Sequence, residues 1–442
     1  MVKVIKKGLE TSVQDYPGRI GTLNLGFPPS GPMDSWSFRL ANVLVENEPG
    51  AAALECQFMG PTLKFNSDRI IAITGADMSP KIDGSPVPLW ESLEVKKDQT
   101  LEMTFATVGA RSYIAFSGGI NTTPWLGSRS TFHKAGVGGI EGKAIQDGQI
   151  IPLNKSKSVA GRKVKKNSIP VMSTNKKWSV EVVKGPNDDW VDEKGHKMFL
   201  NSNWKLQSKS DRTGYRLEGP KWSFTKKATH KGLEHGTFPS NIIDQGYPVG
   251  AINLAGQTPI ILVNDGPSMG GFIVPYTVPS ASFWKLGQAK PGDSFNFVEI
   301  SVEKAQTLRT EQTIICSEAS LMSSKKESGL LREVPTKKID HIKIREPGGS
   351  LNSEKIRKLI LGDIETDQGL SSACLASALR AKTEAQLMIY KRITWGEEAK
   401  FSSAVEGAIK NSKYILGLHT NIINTDATRE ALKNGSRILA TQ

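Results

Sequence analysis

The sequence predicts two mainly β regions followed by a mostly α C-terminal region. Glycine (42) and proline (23) are frequent among the 442 residues, which favours short strands and tight turns. Two apolar runs rich in β-branched residues, 69–78 and 110–120, break at glycines, as buried strands do where they lead into loops. From about residue 352 onward, the spacing of apolar residues becomes helical.

The first β region, residues 1–152, contains one predicted helix at 35–45, because apolar residues recur there at the spacing of one helix face. Pro32 precedes this helix. Asp34 or Ser35 is the predicted N-cap, since a short polar side chain can accept a hydrogen bond from the unpaired N–H groups of the first turn.

Composition divides the rest of the chain into four segments. Residues 153–176 are rich in Lys and Ser and poor in apolar residues, which is typical of a basic linker or surface loop. Strand patterning returns over 177–305, so we predict a second β region there. Residues 306–340 are polar and charged and are interpreted as a second linker, and 341–442 as an α-rich extension.

Lys and Arg exceed Asp and Glu by 13. Nucleic-acid binding is one interpretation of this excess. The basic residues cluster where loops are expected and are not interleaved with aromatic residues, as a base-stacking surface would need. We therefore expect no nucleic-acid partner. A cationic surface also suits anionic small molecules or an acidic protein partner.

Other sequence features indicate a cytoplasmic protein. The three cysteines (Cys56, Cys316 and Cys374) lie far apart and form neither a disulfide framework nor a CxxC metal motif, which fits a reducing compartment. No apolar stretch approaches 18 residues and the N-terminus lacks a secretory pattern, so we expect no membrane association. The six histidines show no HExxH spacing, and no metal site is predicted.

The segment 26–42 is the first candidate for a binding site. Ser30 and Gly31 form a predicted turn, and Asp34 opens the predicted helix. Backbone N–H groups of a turn and of a helix N-terminus can together bind an anion. The alternative is a capped turn with nothing bound.

A second candidate is the segment 260–275, a buried strand that ends in Asn264 and Asp265 and continues into a loop with Gly270 and Gly271. An amide and a carboxylate at a strand end can bind a small polar substrate that offers N–H donors. The alternative is an Asx-turn, in which the same residues supply only turn chemistry.

A third candidate is the segment 126–142, which combines Ser128, Arg129 and a cluster of glycines. Glycine lets the backbone approach a ligand closely, and an arginine can contact a carboxylate or ureido oxygen with two N–H groups. The glycine spacing matches no Walker loop or dinucleotide motif, so no bound nucleotide is expected.

The sequence does not assign a role to two further candidate residues, Arg216 and Tyr247. Arg216 shares a strand face with Glu218, and either an ion pair or a ligand contact explains it. Tyr247 lies on a predicted turn next to Gln245.

Long collinear motifs resemble one known family. The chain is similar, over roughly 3–305, to the KipA-like family, also called allophanate hydrolase subunit 2, which forms the first half of the carboxyltransferase domain of urea carboxylase and urea amidolyase. The motifs that carry the resemblance are TSVQDYPGRIG (11–21), GFPPSGPMDSWSFRLAN (26–42), AALECQFMGPTLKF (52–65), GSRST (127–131), YRLEGP (215–220), GYPVGAIN (246–253), LVNDGPSMGGF (262–272) and VPSASFWKLGQAKPGD (278–293).

The resemblance implies two barrel-like, cyclophilin-related β subdomains and transfer of a carboxyl group from carboxybiotin to urea, or to guanidine. It implies catalytic roles for Arg129, which would stabilise negative charge on the ureido oxygen, and for Asp265 and Asn264, which would orient the substrate. The residues expected to bind substrate or biotin are Ser30, Gly31, Asp34, Ser128, Arg216, Tyr247, Gly270 and Gly271.

The resemblance also implies partners. The complementary KipI-like half (allophanate hydrolase subunit 1), a biotin carrier protein and a biotin carboxylase are each expected on other chains, with biotin bound to the carrier. Two alternatives remain: a KipA-type regulatory protein that binds a KipI-like kinase inhibitor, and a 5-oxoprolinase subunit. The segments 335–349 and 388–422 faintly resemble the C-terminal part of a biotin carboxylase.

Overall fold

The computed structural model describes residues 1–156 and 158–322, together with the backbone of two short strands at 414–417 and 437–440. The chain divides into two compact units, Met1–Ser324 and Lys325–Gln442. The helices predicted after residue 352 and the segments that resemble a biotin carboxylase lie outside the described residues, apart from the strand at 414–417.

The first half of the unit Met1–Ser324 consists of two antiparallel sheets. Its strands are β1 (Val2–Lys6), β2 (Glu10–Gln14), β3 (Ala53–Gln57), β4 (Thr62–Phe65), β5 (Arg69–Asp77), β6 (Lys81–Ile82), β7 (Ser85–Pro86), β8 (Ser92–Val95), β9 (Thr100–Glu102), β10 (Val108–Phe116) and β11 (Ile150–Ile151). One sheet has the order β11-β1-β4-β9-β6-β7 and the other β2-β3-β10-β5-β8. Apolar side chains from both sheets, among them Val4, Leu63, Ile73 and Phe116, are fully buried in one core.

Helix α1 (Ser35–Leu44) confirms the helix predicted at 35–45. Asp34 is its N-cap, and one carboxylate oxygen accepts a hydrogen bond of 2.9 Å from the Ser37 N–H. Phe38, Leu40 and Leu44 are buried against β5 and β10, which fixes the helix on one face of the second sheet.

The second half is a closed barrel, which confirms the mainly β fold. Its strands are β12 (Lys177–Lys184), β13 (Trp204–Leu206), β14 (Gly214–Glu218), β16 (Ala251–Ala255), β17 (Thr258–Leu262), β19 (Tyr276–Thr277) and β20 (Ser294–Glu299), and a separate hairpin is formed by β15 (Asn241–Gly246) and β18 (Met269–Phe272). The barrel order is β12-β19-β16-β17-β14-β13-β20, and β12 closes it by parallel pairing with β20. Aromatic side chains, including Phe199, Trp204 and Phe297, fill its interior.

The described residues after α1 form four further α-helices: α2 (Glu193–Asn201), α3 (Lys226–Thr229), α4 (Phe283–Gln288) and α5 (Val302–Ile315). Helix α5 corrects the expectation of a linker over the first part of 306–340. Within α5 only Gln312 is fully buried, and the few apolar residues on the same face, Ala305, Leu308 and Ile315, are half-buried, so the apolar pattern that would mark the helix in the sequence is weak. Among the residues described, no helix has a long enough apolar stretch to span a bilayer.

The basic segment 153–176 pairs with the first half and with the chain that follows α5. Val164 forms a β-bridge with Leu321, and Lys163 forms one with Glu91. This segment therefore runs along the first half, and the chain that follows α5 returns to pair with it.

Candidate functional site

The two halves meet at a buried group of charged and polar side chains, here called the junction cluster: Arg19, Ser30, Glu55, Arg212 and Asp265. The turn at Ser30 faces the loop that follows β17. The Ser30 N–H donates to the Asn264 carbonyl at 3.0 Å. The Asn264 side-chain amide donates in turn to the carbonyls of Ser30, Gly31 and Pro32 at 3.0–3.2 Å. The structure thus brings together four of the predicted residues, Ser30, Gly31, Asn264 and Asp265.

Arg212 links both halves. Its Nε donates to Asp265 Oδ2 at 2.9 Å, its Nη1 to Glu55 Oε1 at 2.6 Å and its Nη2 to the Gly31 carbonyl at 2.8 Å. Burial opposes the charge of Arg212, but the two carboxylates outweigh it and raise the pKa of the guanidinium. Asp265 is therefore held in place as one member of a buried ion pair.

Arg19 is buried to a similar degree but has few partners. Only 2% of its surface is exposed, and its Nη2 donates to the Ser130 carbonyl. Its Nε and Nη1 are buried without a hydrogen-bond partner in the described part of the chain. The guanidinium lies 5.1 Å from the ring centre of Trp125. Burial lowers the pKa of Arg19, while Asp15 and Asp265 act in the opposite direction.

Ser30 is strained as well as unpaired. Its φ is 55°, in the left-handed region that costs a non-glycine residue about 1–3 kcal/mol. Its side chain is buried, and its Oγ has no partner among the residues described. The neighbouring turn depends on Gly18, because a Cβ there would lie 2.3 Å from the Pro29 carbonyl oxygen.

Together, Arg19 and Ser30 present unused hydrogen-bond donors in a buried place. Native proteins seldom leave such groups without a partner, so unpaired donors mark a place where a ligand or an ordered water can bind. A guanidinium and a hydroxyl can bind a carboxylate or stabilise an oxygen that gains negative charge, and low local polarity strengthens both interactions. The donor set is therefore suited to an anionic group.

Ser128 and Arg129 lie on an adjacent loop that Asp15 fixes. The Asp15 carboxylate accepts hydrogen bonds from Ser128 Oγ at 2.5 Å and from the Arg129 N–H at 2.6 Å. The Arg129 Nε donates to the Thr122 carbonyl at 2.8 Å, and the side chain is half-buried. The catalytic role expected of Arg129 stays a prediction.

Asp34 does not leave an open anion site at the start of α1. Its carboxylate accepts hydrogen bonds from Ser37 N–H and Oγ and from Gln288 Nε2. Burial raises the pKa of Asp34 to about 6, and the bonds from Ser37 and Gln288 only partly offset this shift. The capped turn, one of the two interpretations of this segment, describes what the structure shows at Asp34.

The remaining predicted residues line a separate depression on the outside of the barrel, here called the barrel pocket. Its volume is about 370 Å³. It is lined by four of the predicted residues, Arg216, Tyr247, Gly270 and Gly271. The predicted site residues are thus divided between the junction of the two halves, the cap of α1, the loop at Ser128 and this pocket.

Sequence reasoning missed three members of the junction cluster. Glu55 had a signal, because a charged residue inside the apolar run of β3 requires a buried partner. Arg19 and Arg212 lie in polar segments of the sequence, where most arginines are exposed, so nothing local marks them as buried.

The residues that the structure describes include no group of three or more His, Cys, Asp or Glu arranged to hold a metal ion. Cys56 and Cys316 are buried free thiols, and burial raises the pKa of each to about 12. Neither is a thiolate at neutral pH, so neither is an activated nucleophile.

Comparison with known proteins relates this architecture to others. The chain is 40% identical over 320 residues to urea amidolyase of Saccharomyces cerevisiae, and the alignment covers 71% of this chain and 17% of that protein. It is 34% identical to a 5-oxoprolinase subunit of Escherichia coli, and that alignment covers 71% of this chain and 95% of the subunit.

The crystal structure of Kluyveromyces lactis urea carboxylase superposes with a TM-score of 0.69 at 39% identity, covering 74% of this chain and 30% of that one. The chain thus spans less than a third of the length of its urea carboxylase and urea amidolyase relatives. Residues 25–299, which include the barrel and all of the first half except β1 and β2, match the family described as carboxyltransferase domain, subdomain A and B. The chain therefore belongs to this carboxyltransferase family.

Proposed function

We propose that this chain is one half of a biotin-dependent carboxyltransferase that moves a carboxyl group from carboxybiotin to urea or guanidine, with allophanate as the product from urea. The observation that carries the proposal is the unpaired, buried donor pair of Arg19 and Ser30 at the junction of the two halves. The 40% identity with a urea amidolyase supports urea as the acceptor.

Biotin, when bound, supplies a carboxyl group on a nitrogen of its ureido ring. The Arg19 guanidinium and the Ser30 hydroxyl would hold the oxygen that carries negative charge as the group is transferred. Because both donors are already fixed and buried, they need little reorganisation, and this makes electrostatic stabilisation effective. Exclusion of water from the cluster would also limit loss of the carboxyl group to solvent.

Asp265 would orient the acceptor. Its Oδ2 is taken by Arg212 Nε at 2.9 Å, whereas its Oδ1 lies 3.4 Å from Arg212 Nη2, a weaker contact. Oδ1 is thus the carboxylate atom left to accept an N–H from urea. Asn264 acts differently from the prediction, because its amide holds three carbonyls of the Ser30 turn and positions that turn.

A second candidate function is that of a 5-oxoprolinase subunit. The observation that favours it is coverage, since the aligned part of this chain spans 95% of the Escherichia coli 5-oxoprolinase subunit. The lower identity, 34% against 40%, places this candidate second.

The direct test is reconstitution of carboxyl transfer. The full chain is combined with a complementary KipI-like half, a biotin carboxylase and a biotinylated carrier, with ATP and labelled bicarbonate. Urea, guanidine and 5-oxoproline are supplied separately. We expect labelled allophanate with urea or the corresponding carboxylated product with guanidine.

Ser30→Ala tests the assigned site, because it removes one unpaired donor without removing a hydrogen bond made within the described protein. It should lower the transfer rate and leave the fold unchanged. Product formation at the wild-type rate with Ser30→Ala would contradict the assigned site. Absence of product from urea and guanidine, with turnover of 5-oxoproline, would establish the second candidate instead.

A further inference from the structure

We propose that the barrel pocket binds a small molecule that carries both an amide N–H and a carboxylate. Its volume of about 370 Å³ lies within the range of small-molecule sites. The pocket opens on the outer face of β14, β16 and β17 and is covered on one side by β18 of the hairpin.

The floor of the pocket contains a buried acceptor without a donor. Asn253 lies on β16 between Ile252 and Leu254, whose side chains belong to the barrel core. Because side chains alternate along a strand, Asn253 faces outward into the pocket. It is only 4% exposed, and its Oδ1 has no hydrogen-bond partner within the part of the chain described. A ligand N–H would satisfy this oxygen.

A threonine hydroxyl also lines the pocket. Thr213 Oγ is buried and lies within hydrogen-bonding reach of the Asp211 carboxylate, which is another residue of the pocket lining. Arg212, the preceding residue, points into the junction cluster. The Thr213 oxygen still has lone pairs, so it can accept a hydrogen bond from a ligand N–H, as Asn253 Oδ1 can.

The rim of the pocket is positively charged. Lys209 and Arg216 are exposed, and the described residues place no carboxylate within ion-pair distance of either. Lys134 is already neutralised by Asp211 at 3.4 Å. The two remaining cations favour an anionic ligand, and the planar guanidinium of Arg216 suits a carboxylate.

The walls limit the size of the ligand. A Cβ at Gly270 would lie 2.9 Å from the Tyr247 ring, so the backbone of β18 packs directly on that ring. The Tyr247 hydroxyl is occupied, since it accepts from the Phe272 N–H at 2.6 Å and donates to the Phe272 carbonyl at 3.1 Å. Its ring, Ile260 and Leu262 form an apolar wall suited to a short acyl group.

These features select an amide-bearing carboxylate such as a short N-acyl amino acid. The carboxylated urea that the proposed transfer would produce has the same two groups. The inference does not depend on that reaction, because it rests on the pocket alone and its test measures binding.

The test is a titration of the full chain by calorimetry, with N-acetylglycine as the probe. Levulinate has the same shape but a CH₂ in place of the amide N–H, and N-acetylglycine methyl ester lacks the charge. We expect N-acetylglycine to bind at least about tenfold more tightly than either analogue. Equal affinity for N-acetylglycine and levulinate would overturn the proposal.

Variants locate the binding. Asn253→Leu should remove the preference for N-acetylglycine over levulinate, and Arg216→Gln should weaken N-acetylglycine binding about tenfold. Because Arg216 is exposed, its replacement gives an answer even if Asn253→Leu fails to fold. Arg19→Met, in the junction cluster, should leave binding unchanged. Unaltered affinity in Arg216→Gln, or loss of binding in Arg19→Met, would contradict the assignment to this pocket.

Discussion

Arg19 and Arg212 are buried in one cluster, but only Arg212 forms ion pairs with carboxylates there. Replacement of Arg212 by Met leaves Asp265 as a buried charge without its partner, so Arg212→Met should lower the free energy of unfolding by about 3–5 kcal/mol. Urea denaturation followed by tryptophan fluorescence measures this change. A loss below about 1 kcal/mol would show that solvent reaches the pair and that it is not structural.

Arg19→Met should reduce transfer activity strongly and stability only slightly. It removes two donors that have no partner among the described residues and one hydrogen bond from Nη2 to the Ser130 carbonyl, so we expect the free energy of unfolding to fall by about 1–2 kcal/mol, less than in Arg212→Met. Transfer activity in the reconstituted system should fall about 100-fold or more, because a fixed donor to the transferred group is lost.

The control for Arg19 is Arg19→Lys, which keeps the charge but loses the planar arrangement of N–H groups. It should recover part of the activity that Arg19→Met loses. Destabilisation of Arg19→Met as large as that of Arg212→Met would show that Arg19 serves the fold and not a ligand.

At the scale of elements, the N-cap of α1 contributes a pH dependence. Burial raises the pKa of Asp34 to about 6 in the folded protein, above its ordinary value of 3.8. The folded state therefore binds this proton more tightly than the unfolded state. The resulting stabilisation is fully present below about pH 4 and is lost as the pH rises through 6.

Asp34→Asn isolates this contribution, because Asn is as good an N-cap as Asp and does not titrate. Between pH 4 and pH 7, the free energy of unfolding of the variant should rise by about 3 kcal/mol relative to that of the wild type. This is the energy that corresponds to the difference between the folded and unfolded pKa values of Asp34. Denaturation curves of both proteins across this range measure the difference. A difference that is independent of pH would show that Asp34 titrates normally.

At the scale of the whole unit, Gln288 joins the barrel to the first half. Its Oε1 accepts from the N–H groups of Ala110 and Arg111, and its Nε2 donates to the Arg111 carbonyl and to Asp34. It is the last residue of α4 and is fully buried. Each half has its own apolar core, and Met33 and Trp36 of the first half also pack against the barrel core. Gln288 adds buried polar contacts to this coupling, so its loss should weaken the cooperativity between the halves.

Gln288→Ala should therefore reduce stability by about 3 kcal/mol or more, since it leaves several buried groups without partners. It should also split thermal unfolding into two calorimetric transitions. The matched control is Gln306→Ala on the exposed face of α5, for which we expect a change within about 0.5 kcal/mol. A single transition at the wild-type temperature in Gln288→Ala would contradict this role.

Local patterns in the sequence were sufficient for much of the fold. The helix at 35–45 and its cap at Asp34 follow from apolar spacing and capping chemistry, and the structure confirms both. The runs 69–78 and 110–120 correspond to β5 and β10. These features are determined by neighbours within a few residues, so the sequence carries a periodic signal for them.

The site needed the tertiary structure. Ser30 and Asn264 are far apart in the chain, yet they share a backbone hydrogen bond, and only the packing of one half on the other brings them together. The same packing gives Arg212 two carboxylate partners and leaves two nitrogens of Arg19 unpaired among the described residues, although both arginines lie in polar segments. Whether a buried charge is paired depends on long-range contacts, and such contacts leave no periodic trace in a single sequence.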